Sequence, residues 1–265
     1  MANFIENIGR GALDVVRDIS KAFRLFLLTV YWIVVGPFRK RFVSPKYIFE
    51  QLVFVGVRSI SIVFFVSFFT GVVLAMQGAY QLAQLGATIY VAGLVSVSMA
   101  RELGPVLIAL VVAGRVGAAN TAQIGSMKVT EQIEALDTMA LDPVRFLVVP
   151  RFLALLIMLP ALTVFGDLAG MFGGYVVGVV NLDITPMLYI DTAVRFLALK
   201  DIYTGLFKSA IFAMVIAIVS CYQGLNTSGG AEGVGRHTTV SVVTSFIFII
   251  LTDCVITGLF YFADM

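Results

Sequence analysis

The stretch FLVVPRFLALLIMLPALTVFGDLAGMFGGYVVGVV, residues 146–180, decides the fold class, because it holds only two charged residues, Arg151 and Asp167. About 20 apolar residues suffice to cross the hydrocarbon core of a bilayer, so this stretch is long enough to span a membrane. Its apolar residues form a continuous run instead of alternating with polar ones, which argues against a strand of a membrane β-barrel. The stretch therefore predicts a membrane-spanning helix.

Four further apolar runs of sufficient length lie on either side of it, at residues 52–76, 88–117, 203–224 and 239–262. The whole chain of 265 residues is 60% hydrophobic and only 13% charged. A soluble domain carries roughly 25% charged residues, so the composition excludes a soluble enzyme and a disordered chain. A net charge of +2 is too small for a nucleic-acid footprint. We predict an all-α integral membrane protein with five transmembrane helices and no nucleic-acid partner.

The N-terminal segment has the pattern of an amphipathic helix. Apolar residues recur at helical spacing, and basic residues are interleaved with acidic ones on the other side. The apolar positions are Phe4, Ile5, Ile8, Ala12, Val15, Val16, Ile19, Phe23 and Phe26. The run at 25–38 is short for a span, and the basic residues Arg39, Lys40 and Arg41 follow it. We predict that residues 1–45 form an interfacial, elbow-like element and that residues 46–265 hold all five spans.

The distribution of basic residues predicts the orientation. Most Lys and Arg residues fall on the side of the N-terminus, and only Arg195, Lys200 and Lys208 are assigned to the opposite side. Positively charged loops stay in the cytoplasm. With five crossings, the N-terminus is predicted to be cytoplasmic and the C-terminus to lie outside.

Two predicted spans carry charged residues in mid-membrane: Arg101 and Glu102 in one, and Asp253 in the last. Such residues are costly in lipid unless they are paired or face water. At 1.5 Å per residue, Glu102 and Asp253 both lie roughly 21–22 Å from the inner ends of their spans. Arg101 is therefore expected to reach Asp253 across helices. These charged residues either form an ion pair that only fixes helix packing or line a polar cavity. Pro105 favours the cavity, because it disturbs the helix at this point.

The segment at 124–142 predicts one amphipathic helix that ends before Pro143. Three acidic residues share one side: Glu131, Glu134 and Asp137. Leu136 and Met139 are among its apolar positions. It is either a solvated connection or a helix that docks on a partner.

The glycine-rich segment at 224–239 lacks the Gly-Lys-Ser/Thr ending of a phosphate-binding loop and follows a span instead of a strand. We expect a flexible cytoplasmic loop that contacts a partner.

Four glycines spaced four residues apart in the stretch at 146–180 predict a close-packing helix face, within the chain or between chains. They are Gly166, Gly170, Gly174 and Gly178.

Residues for enzyme chemistry are sparse. Cys221 and Cys254 lie in apolar runs without a CxxC pair, and His237 is the single histidine. Neither a metal site nor a Ser-His-Asp set is supported, so we do not expect an enzyme.

Four motifs in this order resemble the MlaE family, the permease subunits of lipid-transporting ABC systems. They are ARELGPVL at 100–107, AGRVGAA at 113–119, GSMKVTEQIEALDTM at 125–139 and GLNTSGGAEGVGRHTT at 224–239. The resemblance covers essentially the whole chain and implies that 46–265 is the permease domain, in a bacterial inner membrane. It implies that the segment at 124–142 is a coupling helix through which Glu131, Glu134, Leu136 and Met139 contact an ATPase.

The resemblance also implies the assembly and its cargo. Two copies form a homodimer, two ATPase subunits hold ATP and Mg²⁺, and each ATPase carries a STAS-domain partner. A hexameric ring of MCE-domain subunits lies on the periplasmic side, and this chain holds no cofactor. The complex is expected to move phospholipids between inner and outer membranes and so maintain outer-membrane asymmetry.

Six residues match the lipid-binding positions of the family, with Asp253 as an intramembrane polar partner. They are Leu74, Gln77, Tyr80, Arg101, Glu102 and Leu103. The alternative function is a proton-coupled secondary transporter with Glu102, Asp167 or Asp253 as proton carriers, which would need no ATPase.

Overall fold

The computed structural model describes the backbone of residues 2–38 and 45–263 and the side chains of residues 17–36 and 45–262. Its regular elements within these ranges are helical. The α-helices are α1 (Ala2–Phe38), α2 (Pro45–Val55), α3 (Ile60–Ala83), α4 (Val91–Ser98), α5 (Gly104–Val112), α6 (Ala118–Val129), α7 (Gln132–Thr138), α8 (Val149–Val180), α9 (Pro186–Phe196), α10 (Leu199–Leu225) and α11 (Gly230–Ala263).

Two π-helical turns interrupt the second predicted span. The upper π-turn, Met99–Leu103, joins α4 to α5, and the lower π-turn, Ala113–Gly117, joins α5 to α6. A third π-turn, Val144–Val148, leads into α8. Single π-turns inside α-helices occur often at functional sites.

Six helical stretches of the described chain are long and apolar enough to cross a membrane. They are Arg17–Gly36, Pro45–Ala83, Thr88–Val129, Val144–Val180, Leu199–Leu225 and Gly230–Phe262. The last five coincide with the predicted spans, and the all-α membrane fold is confirmed. The first belongs to α1, which was predicted to lie at the interface.

The chain order gives the bundle two ends. The short helix α7 lies at one end, and α9 lies at the other; we call them the α7 end and the α9 end. Helices α3, α8 and α11 run toward the α9 end, and α4 to α6 and α10 return. Their shared core is almost fully buried, and includes Val63, Ile108, Leu155, Phe212 and Ile249. Lipid tails are as apolar as these side chains, so close packing holds the helices together.

The glycine face of α8 packs within the chain, against α3, the second span and α9. A Cβ on Gly170 would overlap Met99, and a Cβ on Gly174 would lie 2.7 Å from Cγ1 of Val95. The face therefore lets α8 contact its neighbours closely, as the glycine spacing predicted.

Helix α9 is anchored by Tyr189, whose ring lies against Gly174 and Gly178 of α8. Tyr189 is buried, and burial raises its pKa to about 12. The side chain therefore stays neutral and fixes α9 across the end of the bundle.

Helix α1 contacts the α7 end at two points. The Tyr222 hydroxyl donates to Oδ1 of Asp18 at 2.9 Å, three residues before α10 ends. Trp32 Nε1 donates to Oδ2 of Asp142 at 3.0 Å, just before the third π-turn. The same Asp142 accepts a bond from the backbone N–H of Val144 at 2.9 Å. The predicted apolar positions from Phe4 to Val16 and the basic residues at 39–41 lie outside the described side chains.

Candidate functional site

The upper π-turn carries the charged pair Arg101 and Glu102. The backbone N–H of Gly104 bonds to the carbonyl of Met99, five residues back. Pro105 has no N–H to continue this pattern to the carbonyl of Ala100. The upper π-turn followed by Pro105 thus leaves the carbonyl oxygen of Ala100 without this helical hydrogen bond in the middle of a span. A neighbouring helix can approach that oxygen.

Helix α10 makes that approach through Gly205. A Cβ on Gly205 would overlap the carbonyl oxygen of Ala100 and lie 3.1 Å from Cγ of Pro105. The close contact brings Lys208, three residues further along α10, to the side chain of Glu102.

Lys208 is the centre of a charged cluster, which we define as Glu102, Lys208, Asp253 and Thr257. Lys208 is 0% exposed, and its Nζ lies 2.5 Å from Oε2 of Glu102 and 2.9 Å from Oδ1 of Asp253. It also donates to the Thr257 hydroxyl at 2.7 Å, and that hydroxyl donates to Oε1 of Glu102 at 3.3 Å. Two carboxylates share one ammonium, so the charged cluster carries an excess negative charge, partly exposed through Glu102.

The predicted pair of Arg101 with Asp253 is wrong. Asp253 pairs with Lys208, and Nη1 of Arg101 lies 3.7 Å from Oδ1 of Asp201 in the first turn of α10. The error arose because Lys208 was assigned to the outer side, although it lies inside the predicted span at 203–224. That position was the available signal for a buried lysine, and it would have pointed to a carboxylate partner. Asp201 and Thr257 were not singled out.

An apolar hollow of about 400 Å³ lies between α3 and the upper π-turn. Its lining consists of Phe69, Thr70, Val73, Leu74, Gln77 and Leu103. Three of the six predicted lipid-binding residues therefore meet in one concave surface, and Leu103 directly follows Glu102. Tyr80 is exposed one turn beyond Gln77 and does not line the hollow.

Asp167 has an unusual environment in the middle of α8. Its Oδ1 is buried and has no hydrogen-bond partner in the described part of the chain. A Cβ on Gly104 would overlap this oxygen, so Asp167 packs directly behind the upper π-turn.

The predicted single helix at 124–142 is wrong, because the chain breaks after α6. Glu131 has a left-handed backbone with φ of 59°, and α7 begins after it. The hydroxyl of Thr130 donates to the carbonyl of Ser126 at 2.9 Å at this break. Lys128 and Glu134 form an ion pair across the break.

The predicted ATPase-contacting residues at the α7 end differ in accessibility. Glu131 is exposed, and Met139 is 68% exposed. Leu136 packs partly against a buried cluster beneath α7. Glu134 is exposed, and its hydrogen bond with Lys128 holds the pKa of its carboxyl below the usual range. Glu131, Glu134 and Met139 are therefore the exposed members of this set, and Glu134 is paired with Lys128.

The expected flexible loop at 224–239 is wrong in extent. Helix α10 ends at Leu225, and α11 begins at Gly230, so only four residues connect them. His237 lies on α11, where its Nδ1 is 3.0 Å from Oε1 of Gln223 on α10. Glycines are poor predictors of a loop here, because Gly230, Gly233 and Gly235 all belong to the first turns of α11.

The comparisons of this chain with known proteins agree on one family. The sequence profile described as Permease MlaE matches residues 48–259. A protein of Rickettsia bellii named "Probable ABC transporter permease protein" is 39% identical over 264 residues, covering 98% of this chain and 99% of its own length. A Synechocystis protein named "Probable ABC transporter permease protein slr1045" is 42% identical over 212 residues, covering 80% of this chain and 81% of its own.

A plant relative matches over the same extent. The Arabidopsis thaliana protein "TRIGALACTOSYLDIACYLGLYCEROL 1, chloroplastic" is 34% identical over 212 residues, which cover 80% of this chain and 61% of the plant protein. The apolar bundle and these matches agree: the chain belongs to the MlaE permease family and is a membrane permease of an ABC transporter.

Proposed function

We propose that this permease moves phospholipids between the inner and outer membranes and so maintains outer-membrane lipid asymmetry, driven by ATP hydrolysis on a partner subunit. The observation that carries the proposal is the apolar hollow, whose lining residue Leu103 directly follows Glu102 of the charged cluster. A phospholipid has the same two parts, an apolar chain and a charged headgroup.

The hollow can bind the apolar part of a phospholipid, and the charged residues of the upper π-turn can bind its headgroup. An acyl chain fits against Leu74, Val73 and Leu103 in the hollow, whose volume is in the range of small-molecule sites. The headgroup then lies near Arg101, whose side chain is 38% exposed and can meet a phosphate. The excess negative charge of the charged cluster suits the cationic part of a zwitterionic headgroup.

A second copy of the chain completes the site in this proposal. The hollow opens to the outside, and α3 presents a row of exposed apolar residues beside it: Phe65, Phe69, Val73 and Met76. A homodimer that joins two such faces would enclose the lipid between the copies and hide it from the surrounding bilayer.

The α7 end is proposed to face the cytoplasm and two ATPase subunits, which hold the ATP and Mg²⁺. Each ATPase carries a STAS-domain partner, and a hexameric MCE-domain ring covers the α9 end on the periplasmic side. Helix α1 then lies along the cytoplasmic surface, because Asp18 and Trp32 both contact the α7 end. The N-terminus is cytoplasmic and the C-terminus periplasmic in a bacterial inner membrane.

The test is ATP-dependent phospholipid transfer from proteoliposomes that contain the assembled complex. We expect Glu102→Gln and Asp253→Asn each to reduce the rate several-fold, because each removes one charge next to the headgroup. Asp191→Asn on the exposed part of α9 is the matched control and should transfer lipid normally. Normal transfer in both charged-cluster variants, in complexes that assemble fully, would contradict the assignment.

The alternative, proton-coupled transport, rests on the unpartnered oxygen of Asp167. It predicts transfer without ATP hydrolysis, driven by a pH gradient and abolished in Asp167→Asn. An ATPase-inactive partner separates the two functions, because it stops transfer only in the ABC mechanism.

A further inference from the structure

A pair of arginines lies at the lower π-turn, away from the charged cluster and the hollow. The guanidinium carbons of Arg58 and Arg115 lie 5.9 and 5.5 Å from the ring centroid of the same residue, Phe54. Arg115 donates to the Ser59 hydroxyl at 2.7 Å and to the carbonyl of Phe54 at 3.3 Å. These bonds fix Arg115 in place, whereas the Arg58 side chain is exposed.

Within the described part of the chain, the two guanidinium groups have no acidic partner. Ion pairs in the described part of the chain join other residues, and neither Arg58 nor Arg115 has a carboxylate oxygen within 4.0 Å. Arg101, by contrast, faces Asp201 at the upper π-turn. Two like charges beside one ring repel each other. An anion between them would remove the repulsion and accept hydrogen bonds from both.

The position of the pair indicates which anion. Arg58 lies two residues before Ile60, the first residue of α3, and Arg115 follows Glu102 by 13 residues, roughly 20 Å along the helix axis. Helix α6 continues from the pair toward the α7 end. With Glu102 in mid-membrane, as the sequence predicts, a separation of roughly 20 Å exceeds half of the roughly 30 Å hydrocarbon core, which puts the pair at the depth of lipid headgroups on the α7 side. Val57 and Ile60 beside it are exposed apolar side chains. The two guanidinium groups can therefore bind a phosphate, and the exposed apolar side chains beside them can contact acyl chains.

We propose that Arg58 and Arg115 bind the phosphate of a phospholipid in the leaflet at the α7 end. The acyl chains lie along Val57 and Ile60, and the guanidinium groups donate to the phosphate oxygens. This deepens the proposed function by giving the permease a second lipid site, at the opposite end of α5 from the hollow. Binding here requires neither ATP nor a partner subunit.

The test is native mass spectrometry of the full-length chain in micelles with equal amounts of phosphatidic acid and diacylglycerol of identical acyl chains. We expect the wild type to retain phosphatidic acid preferentially. Arg58→Gln should lower that retention roughly tenfold, as expected for the loss of a charge-assisted hydrogen bond. Arg24→Gln, an exposed arginine on α1, is the matched control and should retain lipid as the wild type does.

Arg58→Gln is the decisive variant, because Arg115 also holds α2 and its substitution can disturb the fold. The double variant with Arg115→Gln should retain no more phosphatidic acid than Arg58→Gln alone. Equal retention of the two lipids by the wild type, or unchanged retention in Arg58→Gln, would overturn the proposal. Displacement of the lipid by millimolar inorganic phosphate would assign the site to the free ion instead. Failure of ATP-driven transfer would leave this binding result intact, so the two proposals fail separately.

Discussion

Lys208 shows how one residue organises the centre of the molecule. A lysine in an apolar run costs several kcal/mol in a bilayer unless it finds acidic partners. Lys208 finds two, Glu102 and Asp253, and it is fully buried between them. The two carboxylates depend on it in turn, because they would repel each other without the ammonium group.

We predict that Lys208→Met destabilises the protein strongly. Removing one partner of a buried ion pair costs about 3–5 kcal/mol, which lowers Tm by roughly 10 °C in a chain of this size. Thermal unfolding of the detergent-solubilised protein measures the change. Lys46→Met, at an exposed position on α2, should unfold as the wild type does.

A rescue variant separates charge from packing at this position. Lys208→Met combined with Glu102→Gln and Asp253→Asn carries no unpaired charge, so it should recover most of the lost Tm. A triple variant no more stable than Lys208→Met would show that the lysine stem, and not its charge, supports the bundle.

At the scale of elements, the spans were predictable and their interruptions were not. Residues 146–180 reveal a span through local composition alone, and the structure has a helix there. The break at Glu131 depends on a left-handed backbone, and the pattern of apolar residues across it remains helical. The pairing of Lys208 with Glu102 depends on the crossing of two helices, which no local pattern encodes. Leu74, Gln77 and Leu103 line one hollow, and only the family resemblance linked them in the sequence.

We predict that the crossing of α10 over the upper π-turn depends on Gly205. Gly205→Ala would push its Cβ into the carbonyl oxygen of Ala100, where neither backbone can give way easily. Overpacking of this kind costs about 1–3 kcal/mol. Gly258→Ala on α11 meets open space and should be neutral or slightly stabilising, because alanine favours a helix.

Thermal unfolding of the two alanine variants side by side measures this difference. Equal Tm values would mean that α10 can shift away from the upper π-turn without loss of stability. The proposed contact between Gly205 and the π-turn would then not position Lys208.

At the scale of the whole molecule, the hollow and the charged cluster lie far from the surface that we propose to contact the ATPase. The hollow and the charged cluster adjoin the upper π-turn, whereas α7 lies at the opposite end of α6. One continuous stretch, from the upper π-turn through α5, the lower π-turn and α6, connects the two. A movement imposed at α7 therefore has a direct helical route to Arg101 and Glu102.

The final prediction concerns the docking of the ATPase on the α7 end. Glu131 is exposed and forms no ion pair within the described part of the chain, whereas Glu134 is paired with Lys128. We therefore expect Glu131→Lys to reduce ATPase co-purification several-fold and Glu131→Asn to reduce it less. Asparagine tolerates the left-handed backbone at this position, so Glu131→Asn removes the charge without straining the turn. Asp191→Lys, an equal charge reversal at the α9 end, should leave co-purification unchanged. Unaltered co-purification of both Glu131 variants would place the ATPase contact on other residues, of which exposed Met139 is the first to test.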